Sequence, residues 1–389
     1  MKATILTLGC YPSTGGPSKS IRAFQRALDA RVIAWVNPAE QAREALVFEP
    51  SAIVRSVDWP GAKTVLYPRR DDLRAAEEIV ASSNLVSCHL CWRWHCPWLH
   101  GAAARHGVPY WLVPHGGLDP YVFQTNGPLK RLFSRTVARP FLESAPAVVC
   151  STHREYQKAR RHLPRAEPFI LPWPLEEGDV RVRDEEKREA MRIRLGIPED
   201  ALGLLFLGRL HPMKRPLETI TALARSGSTK AHLIVVGNEF GISVDACRLH
   251  ARQLGVSDRV HVVGAVFGNA KRDYFDAADA YISLSHRENF NFSAAEALAS
   301  GLPVILSPGN DLAADIAPVD CGWMLNDIEE ASTAIVAAAE LPAAQLTARG
   351  ERGRDWAEQN LRFDKFRTRL LDYAARLPQV ASARTRRTR

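Results

Sequence analysis

Short apolar runs of strand length recur along this chain, each separated from the next by a stretch long enough for a helix. They fall at 1–9, 31–36, 64–67, 85–90, 110–114 and 147–150, and again at 203–207, 232–236, 260–263, 280–284 and 303–306. Strand alternating with helix predicts an α/β chain, with mostly parallel sheets covered on both faces. Two series in 389 residues predict two domains. The break between them is the polar stretch from Glu176 to Arg188, which follows Pro172-Trp173-Pro174. The expected boundaries are 1–175 and 176–354, with helix over 350–377. The tail at 378–389 ends in a basic run from Ala383 to Arg389 and is expected to be disordered.

Composition closes off several classes. No run of 18 apolar residues occurs, so no spanning helix is expected. The apolar start is too short for a signal peptide and reads as a first buried strand. Lys plus Arg exceed Asp plus Glu by 8. Such a surplus suits an anionic membrane, sugar phosphates or nucleic acid. No nucleic-acid reading module is present, so no nucleic-acid partner is expected. The seven cysteines are expected to be reduced thiols in the cytoplasm. Cys88, Cys91 and Cys96 lie among His89, His95 and His100. No second Cys-x2-Cys pair follows at zinc spacing, so the segment reads as a buried strand and no metal is expected.

Four segments carry chemistry. Glu288 and Glu296 stand eight residues apart, the first in a turn after an apolar run and the second inside a helix. A strand that ends in a loop and opens a helix aims free N–H groups at one spot, which suits a diphosphate. A carboxylate further along can accept from ribose hydroxyls. Ser293 and Glu296 also match a capping box, which is the structural alternative. About 80 residues earlier, the run ending at Gly208-Arg209 is followed by Lys214. Those two cations stand at the carboxyl edge of a sheet, where open α/β folds bind ligands and where cations can take diphosphate charge. The turn Gly15-Gly16-Pro17 opens a helix after the first strand, with Pro17 suited to the first helical position. It is not a Walker A loop, and no Gly-x-Gly-x-x-Gly follows any strand, which argues against a dinucleotide-dependent dehydrogenase. His115 sits in a glycine turn at the carboxyl end of a strand, the edge where open α/β sheets bind ligands.

The pattern Gly208-Arg209-x4-Lys214 with Glu288-x7-Glu296 resembles the family 4 retaining glycosyltransferases, whose fold is GT-B. The likeness is strongest over roughly 200–310. The resemblance implies two Rossmann-like domains facing across a cleft, with a last helix, about 355–377, returning to the first domain. It implies that Arg209 and Lys214 hold the donor diphosphate, that Glu288 contacts the donor sugar and that Glu296 contacts the ribose. Gly16, Gly208, Asn289, Phe290 and Asn291 complete the nucleotide-sugar site, and His115 lines the sugar. The segment Pro114-His115-Gly116-Gly117-Leu118-Asp119-Pro120 is similar to that of surface-polysaccharide transferases. Two positions depart from the family pattern: Arg215 and Asn291 stand where Gly is usual, and Asn tolerates a left-handed backbone.

The implied activity is retaining transfer of a hexose from a UDP-, GDP- or ADP-sugar to an acceptor hydroxyl, without a metal or other cofactor. The acceptor is expected to be lipid-linked or a saccharide, in surface polysaccharide or glycolipid synthesis. Basic clusters at Lys130, Arg131, Arg135 and Arg139, and at Lys158, Arg160, Arg161 and Arg165, make an anionic membrane an expected partner. They would place the chain peripherally on the inner face of the plasma membrane. The alternatives are a sugar-nucleotide 2-epimerase on the same fold and a non-catalytic, membrane-bound partner subunit.

Overall fold

The computed structural model describes residues 1–11, 15–58, 66–123, 128 and 132–387. They form two compact units, Met1–Pro174 with Phe363–Arg389, and Leu175–Arg362. The first unit holds an eight-stranded sheet. Its strands are β1 (Ala3–Leu8), β2 (Arg31–Val36), β3 (Ala52–Asp58), β4 (Leu66–Pro68), β5 (Leu85–His89), β6 (Tyr110–Val113), β7 (Ala147–Cys150) and β8 (Glu167–Ile170). The order is β4-β3-β2-β1-β5-β6-β7-β8. The second unit holds β9 (Leu202–Leu207), β10 (Ala231–Val236), β11 (Val260–Gly264), β12 (Ala280–Ser283), β13 (Val304–Leu306) and β14 (Gly322–Met324). Their order is β11-β10-β9-β12-β13-β14. Every pairing is parallel except β3 with β4, an antiparallel edge that the sequence reading did not foresee. Of the expected strand at 64–67, residues 64 and 65 lie outside the described residues.

Strands such as β2 and β10 are buried on both faces, which is why they read as apolar runs rather than alternating ones. In both sheets the strand order reverses beside the first strand of the series, at β1–β5 and at β9–β12. Such a switch point opens a crevice at the carboxyl ends of the strands.

Three expectations change. The stretch 176–188 is not a solvated linker. Asp179 bonds Arg272 at 3.0 Å, Arg181 bonds Asp276 at 2.6 Å and Arg188 bonds Asp279 at 2.7 Å, so its charges are tied down within the second unit. The segment belonging to the first unit begins at Phe363 rather than about 355. Residues 343–360 form a separate helix whose buried Gly350 and Gly353 belong to the second unit. The basic tail is helical to Arg387. Phe366, Leu370, Ala374 and Leu377 are buried at helical spacing, and Tyr373 stacks on Phe169 with ring centroids 4.3 Å apart. Burying each large apolar side chain stabilises by about 1.5–3 kcal/mol. The packed turns nucleate the helix, and propagation through Ala and Arg adds little cost.

The helix Ala343–Asn360 closes on the turn at Gly301. A Cβ placed on Gly350 would lie 1.9 Å from the Gly301 carbonyl oxygen. A helical Gly→Ala change ordinarily stabilises by about 0.5–1 kcal/mol. Here the overlap with backbone reverses the sign, and Gly350→Ala is expected to destabilise by roughly 1–3 kcal/mol. Urea unfolding checks this; a raised midpoint would contradict the packing.

Candidate functional site

In the second unit the site residues gather at the switch point. The loop after β9 carries Gly208, Arg209 and Lys214, and the loop after β12 carries Glu288 to Asn291. His286 N–H donates to the Met213 carbonyl at 2.8 Å and so joins the two loops. Lys214 Nζ is in direct contact with a Glu288 carboxylate oxygen. Burial and the nearby Arg209 push the Lys214 ammonium down to about 7. The touching carboxylate acts the other way and favours the charge. Arg209 is exposed, its guanidinium 5.2 Å from the centre of the Phe240 ring.

Helix Phe292–Ala299 begins where the family pattern has its glycine. Asn291 there has φ 54°, and Arg215, the other departure, has φ 58° before helix Pro216–Ser226. Both stand in the left-handed region, which explains the glycine usual at each place. Asn291 Oδ1 caps the helix by accepting from Ala294 N–H at 3.2 Å. Its Nδ2 donates to Asn310 Oδ1 at 2.6 Å and to Ser283 Oγ at 3.1 Å. Gly309 lets the chain pass close beneath, since a Cβ there would lie 2.3 Å from the Ser285 carbonyl oxygen.

The capping-box reading of Glu296 fails, because the cap is Asn291 and Ser293 already lies inside the helix. Glu296, buried, instead pairs with Lys271 at 2.7 Å. Asn289, next to Glu288 in sequence, is half-buried, while Phe290 is buried edge-on to Phe292 at 5.2 Å. Asn291 and Phe290 therefore support the loop from within.

The first unit has its own cluster at the carboxyl ends of β1, β5 and β6. His115 follows β6 with φ 49°. Glu155, buried, accepts from Gly116 N–H at 2.7 Å and from Ser151 N–H at 2.7 Å, pinning that turn. Helix Gly16–Leu28 starts at the glycine turn, and one turn into it Ser20 Oγ lies 3.5 Å from His115 Nδ1. The Gly16 turn and His115 are thus brought together. His115 Nε2 lies 2.9 Å from Nδ1 of the buried His89. Burial pushes His115 down to about 3 and His89 well below the usual histidine range, so both are neutral.

Cys88, His95 and Cys96 offer donor atoms within 4.8 Å of one another, all buried. His95 Nε2 lies 3.1 Å from the His89 carbonyl and Cys96 Sγ donates to the Leu90 carbonyl at 3.6 Å. Burial raises the Cys96 thiol well above its usual range. His95 Nε2 and Cys96 Sγ are thus engaged with the backbone of 89–90, while Cys88 Sγ lies 3.9 Å from Cys96 Sγ. In the basic clusters, Lys158 pairs with Asp119 at 2.8 Å and Arg139 with Glu143 at 2.9 Å. Arg135, Arg160, Arg161 and Arg165 are exposed, while Lys130 and Arg131 lie outside the described residues.

Sequence reasoning missed Lys271, Glu155, Asn310 and the role of His89. Each acts through a partner distant in sequence, so no local spacing announces it.

Comparison with known proteins agrees with this architecture. Residues 15–173 match the glycosyl transferase 4-like domain, and residues 187–345 match the glycosyl transferases group 1 family. The chain belongs to the group 1, family-4-like glycosyltransferases of GT-B fold. The D-inositol 3-phosphate glycosyltransferase of Stackebrandtia nassauensis is 30% identical over 253 residues, which cover 60% of this chain and 56% of that protein. The chain thus spans about half the length of the curated relatives it matches. HepE of Anabaena, crystallised with UDP, superposes with a TM-score of 0.76 at 16% identity, covering 97% of this chain and all of that one. Sucrose-phosphate synthase of Thermosynechococcus elongatus gives 0.71 at 19%, covering 97% of this chain and 99% of that one. At such identities the likeness is one of fold. No described helix is long and apolar enough to cross a membrane.

The neutral, buried histidines set an acid limit. A histidine whose folded pKa lies below its unfolded value costs nothing above about pH 6.5, and the unfolded state gains protons as pH falls below that. For the fully buried His89 the loss is roughly 1.4 kcal/mol per pH unit. Urea unfolding at pH 7 and pH 5 should show a clear fall at the lower pH, and equal stability would contradict neutral burial.

Proposed function

We propose that this chain transfers a hexose from a nucleoside-diphosphate sugar to an acceptor hydroxyl, with retention at the anomeric carbon. The observation that carries the reading is the contact of Lys214 with Glu288 across the β9–β12 switch point, between the starts of helices Pro216–Ser226 and Phe292–Ala299, the second of which carries Glu296. Lys214, Arg209 and the amides opening helix Pro216–Ser226 supply positive charge for a diphosphate. As the bond to the sugar breaks, negative charge grows on the leaving diphosphate. Cations already in place stabilise it without reorganising. Glu296 is suited to accept from ribose hydroxyls and Glu288 from the sugar. His115 in the first unit offers a neutral imidazole to a sugar hydroxyl. Retention follows from the family resemblance, as a front-face displacement in which the leaving diphosphate helps deprotonate the acceptor. The reading needs no metal, because the side chains and helix N-termini carry the required charge. HepE has been crystallised with UDP-glucose, which makes UDP-sugars the first donors to test.

Arg209→Ala and Lys214→Ala are each expected to lower turnover by about 10²–10³, the cost of one charged contact to a developing anion. Both should keep the wild-type melting temperature within a few degrees. Near wild-type turnover in either variant would overturn the assignment, and conversion of the sugar nucleotide without any acceptor would point to isomerisation instead.

The acceptor is proposed to be membrane-borne, with the chain peripheral on an anionic surface. Support comes from the surplus of 8 basic charges, from exposed Arg135 close in sequence to the exposed Leu132, and from exposed Arg160, Arg161 and Arg165. Each basic side chain at such a surface contributes about 1 kcal/mol. Co-sedimentation with anionic vesicles at low salt, lost at high salt and absent with neutral vesicles, is the expected result. No binding to either vesicle at low salt would remove the membrane from the account.

A further inference from the structure

A buried polar chain stands behind His115. Trp111 Nε1 donates to Ser87 Oγ at 2.6 Å. Ser87 Oγ lies 2.9 Å from His89 Nε2, and His89 Nδ1 lies 2.9 Å from His115 Nε2. Trp111, Ser87 and His89 are all fully buried. At the far end, His115 Nδ1 faces Ser20 Oγ at 3.5 Å.

The protons along this chain can be assigned from donors and acceptors. An indole nitrogen only donates, so Ser87 accepts from Trp111 and keeps its own hydroxyl proton to give. His89 Nε2 is the acceptor within reach. That places the His89 proton on Nδ1, where it donates to His115 Nε2. The proton of His115 is then on Nδ1. Ser20 agrees, because its hydroxyl donates to the Pro17 carbonyl at 2.9 Å and so turns lone pairs toward His115. At 3.5 Å that last contact is weak, which leaves the His115 Nδ1–H free to take a better acceptor.

His89 is itself held on every side. The His95 ring nitrogen contacts its carbonyl, and Phe24 packs edge-on to its ring with centroids 4.9 Å apart. The rings of His89 and His115 stack at 5.1 Å. A ring so confined cannot turn to exchange its two nitrogens.

We infer that His89 is a positioning residue for His115: it fixes that ring in the Nδ1–H tautomer and so makes it a hydrogen-bond donor to substrate. In general the bond made by one imidazole nitrogen decides what the other can do. Without His89 the ring is free to carry its proton on Nε2, which would leave Nδ1 an acceptor and unable to donate to the oxygen of a sugar hydroxyl. The inference rests on the reading of His115 as a sugar contact.

The test uses the full chain with His89→Leu, His89→Asn and His115→Ala. Asparagine keeps an amide N–H close to the place of His89 Nδ1, and leucine keeps only bulk. His89→Leu should lower kcat by about ten- to a hundredfold, as loss of an orienting partner does for metal-bound imidazoles, and leave the affinity for free UDP unchanged. His89→Asn should restore most of the rate. Nitrogen-15 NMR of the ring should show His115 protonated at Nδ1 in the wild type and no longer solely there in His89→Leu. Wild-type His115 protonated at Nε2 would overturn the inference, as would equal rates for His89→Leu and the wild type, or equal losses for the leucine and asparagine variants. Should His89→Leu fail to fold, the wild-type spectrum decides alone. Undiminished transfer by His115→Ala would count against the sugar-contact reading, while the spectrum would still judge the tautomer lock separately.

Discussion

The contact between Lys214 and Glu288 holds together the two loops on which the second unit's site depends. One loop leaves β9 and the other leaves β12, the strands on either side of the order reversal. The first loop carries only the short 3-10 turn Pro212–Lys214, and the charge pair and the His286–Met213 backbone bond join the two loops. A half-buried lysine beside an arginine is costly unless an anion is near. The Glu288 carboxylate is that anion. In the proposed function a diphosphate, with more charge and more acceptor atoms, takes that place. On that proposal the loops are kept in order by a group that the substrate relieves.

Support for that arrangement lies one layer further in. Asn291 and Asn310, with Ser283, Ser285 and Ser307, form a buried polar network beneath the loop. Such networks specify a single geometry when every member is satisfied. Lys271 holds Glu296 from the other side of its helix turn. The first unit follows the same plan, with Glu155 fixing the glycine turn and His89 fixing the ring of His115. In both units buried side chains, Asn310 in one and Glu155 and His89 in the other, fix the loops that carry the candidate residues.

The strand series was legible because parallel strands buried on both faces read as apolar runs, and most ran within a residue or two of their observed bounds. β8 and β14 escaped as short edge strands, and β3, one place in from the edge, escaped because Arg55, Ser56 and Asp58 interrupt its apolar run. Joint spacing singled out Arg209, Lys214, Glu288 and Glu296, and of these the structure sets Lys214 against Glu288. Asn291 was read correctly as a stand-in for glycine. Lys271, Asn310 and His89 were not legible, because a long-range hydrogen bond leaves no periodic trace in the sequence. The stretch 176–188 misled for a related reason. Its charges suggest solvent, and their partners Arg272, Asp276 and Asp279 lie about ninety residues away.

The central claim is that Lys214 and its neighbours are a diphosphate site. Calorimetric titration of the wild type and Lys214→Met with UDP and with uridine, in the presence of a chelator, tests it most directly. The account predicts that the wild type binds UDP more tightly than uridine, and that Lys214→Met loses most of that difference while its affinity for uridine is unchanged. Equal affinities for UDP and uridine in the wild type, or the same UDP affinity in both proteins, would contradict it.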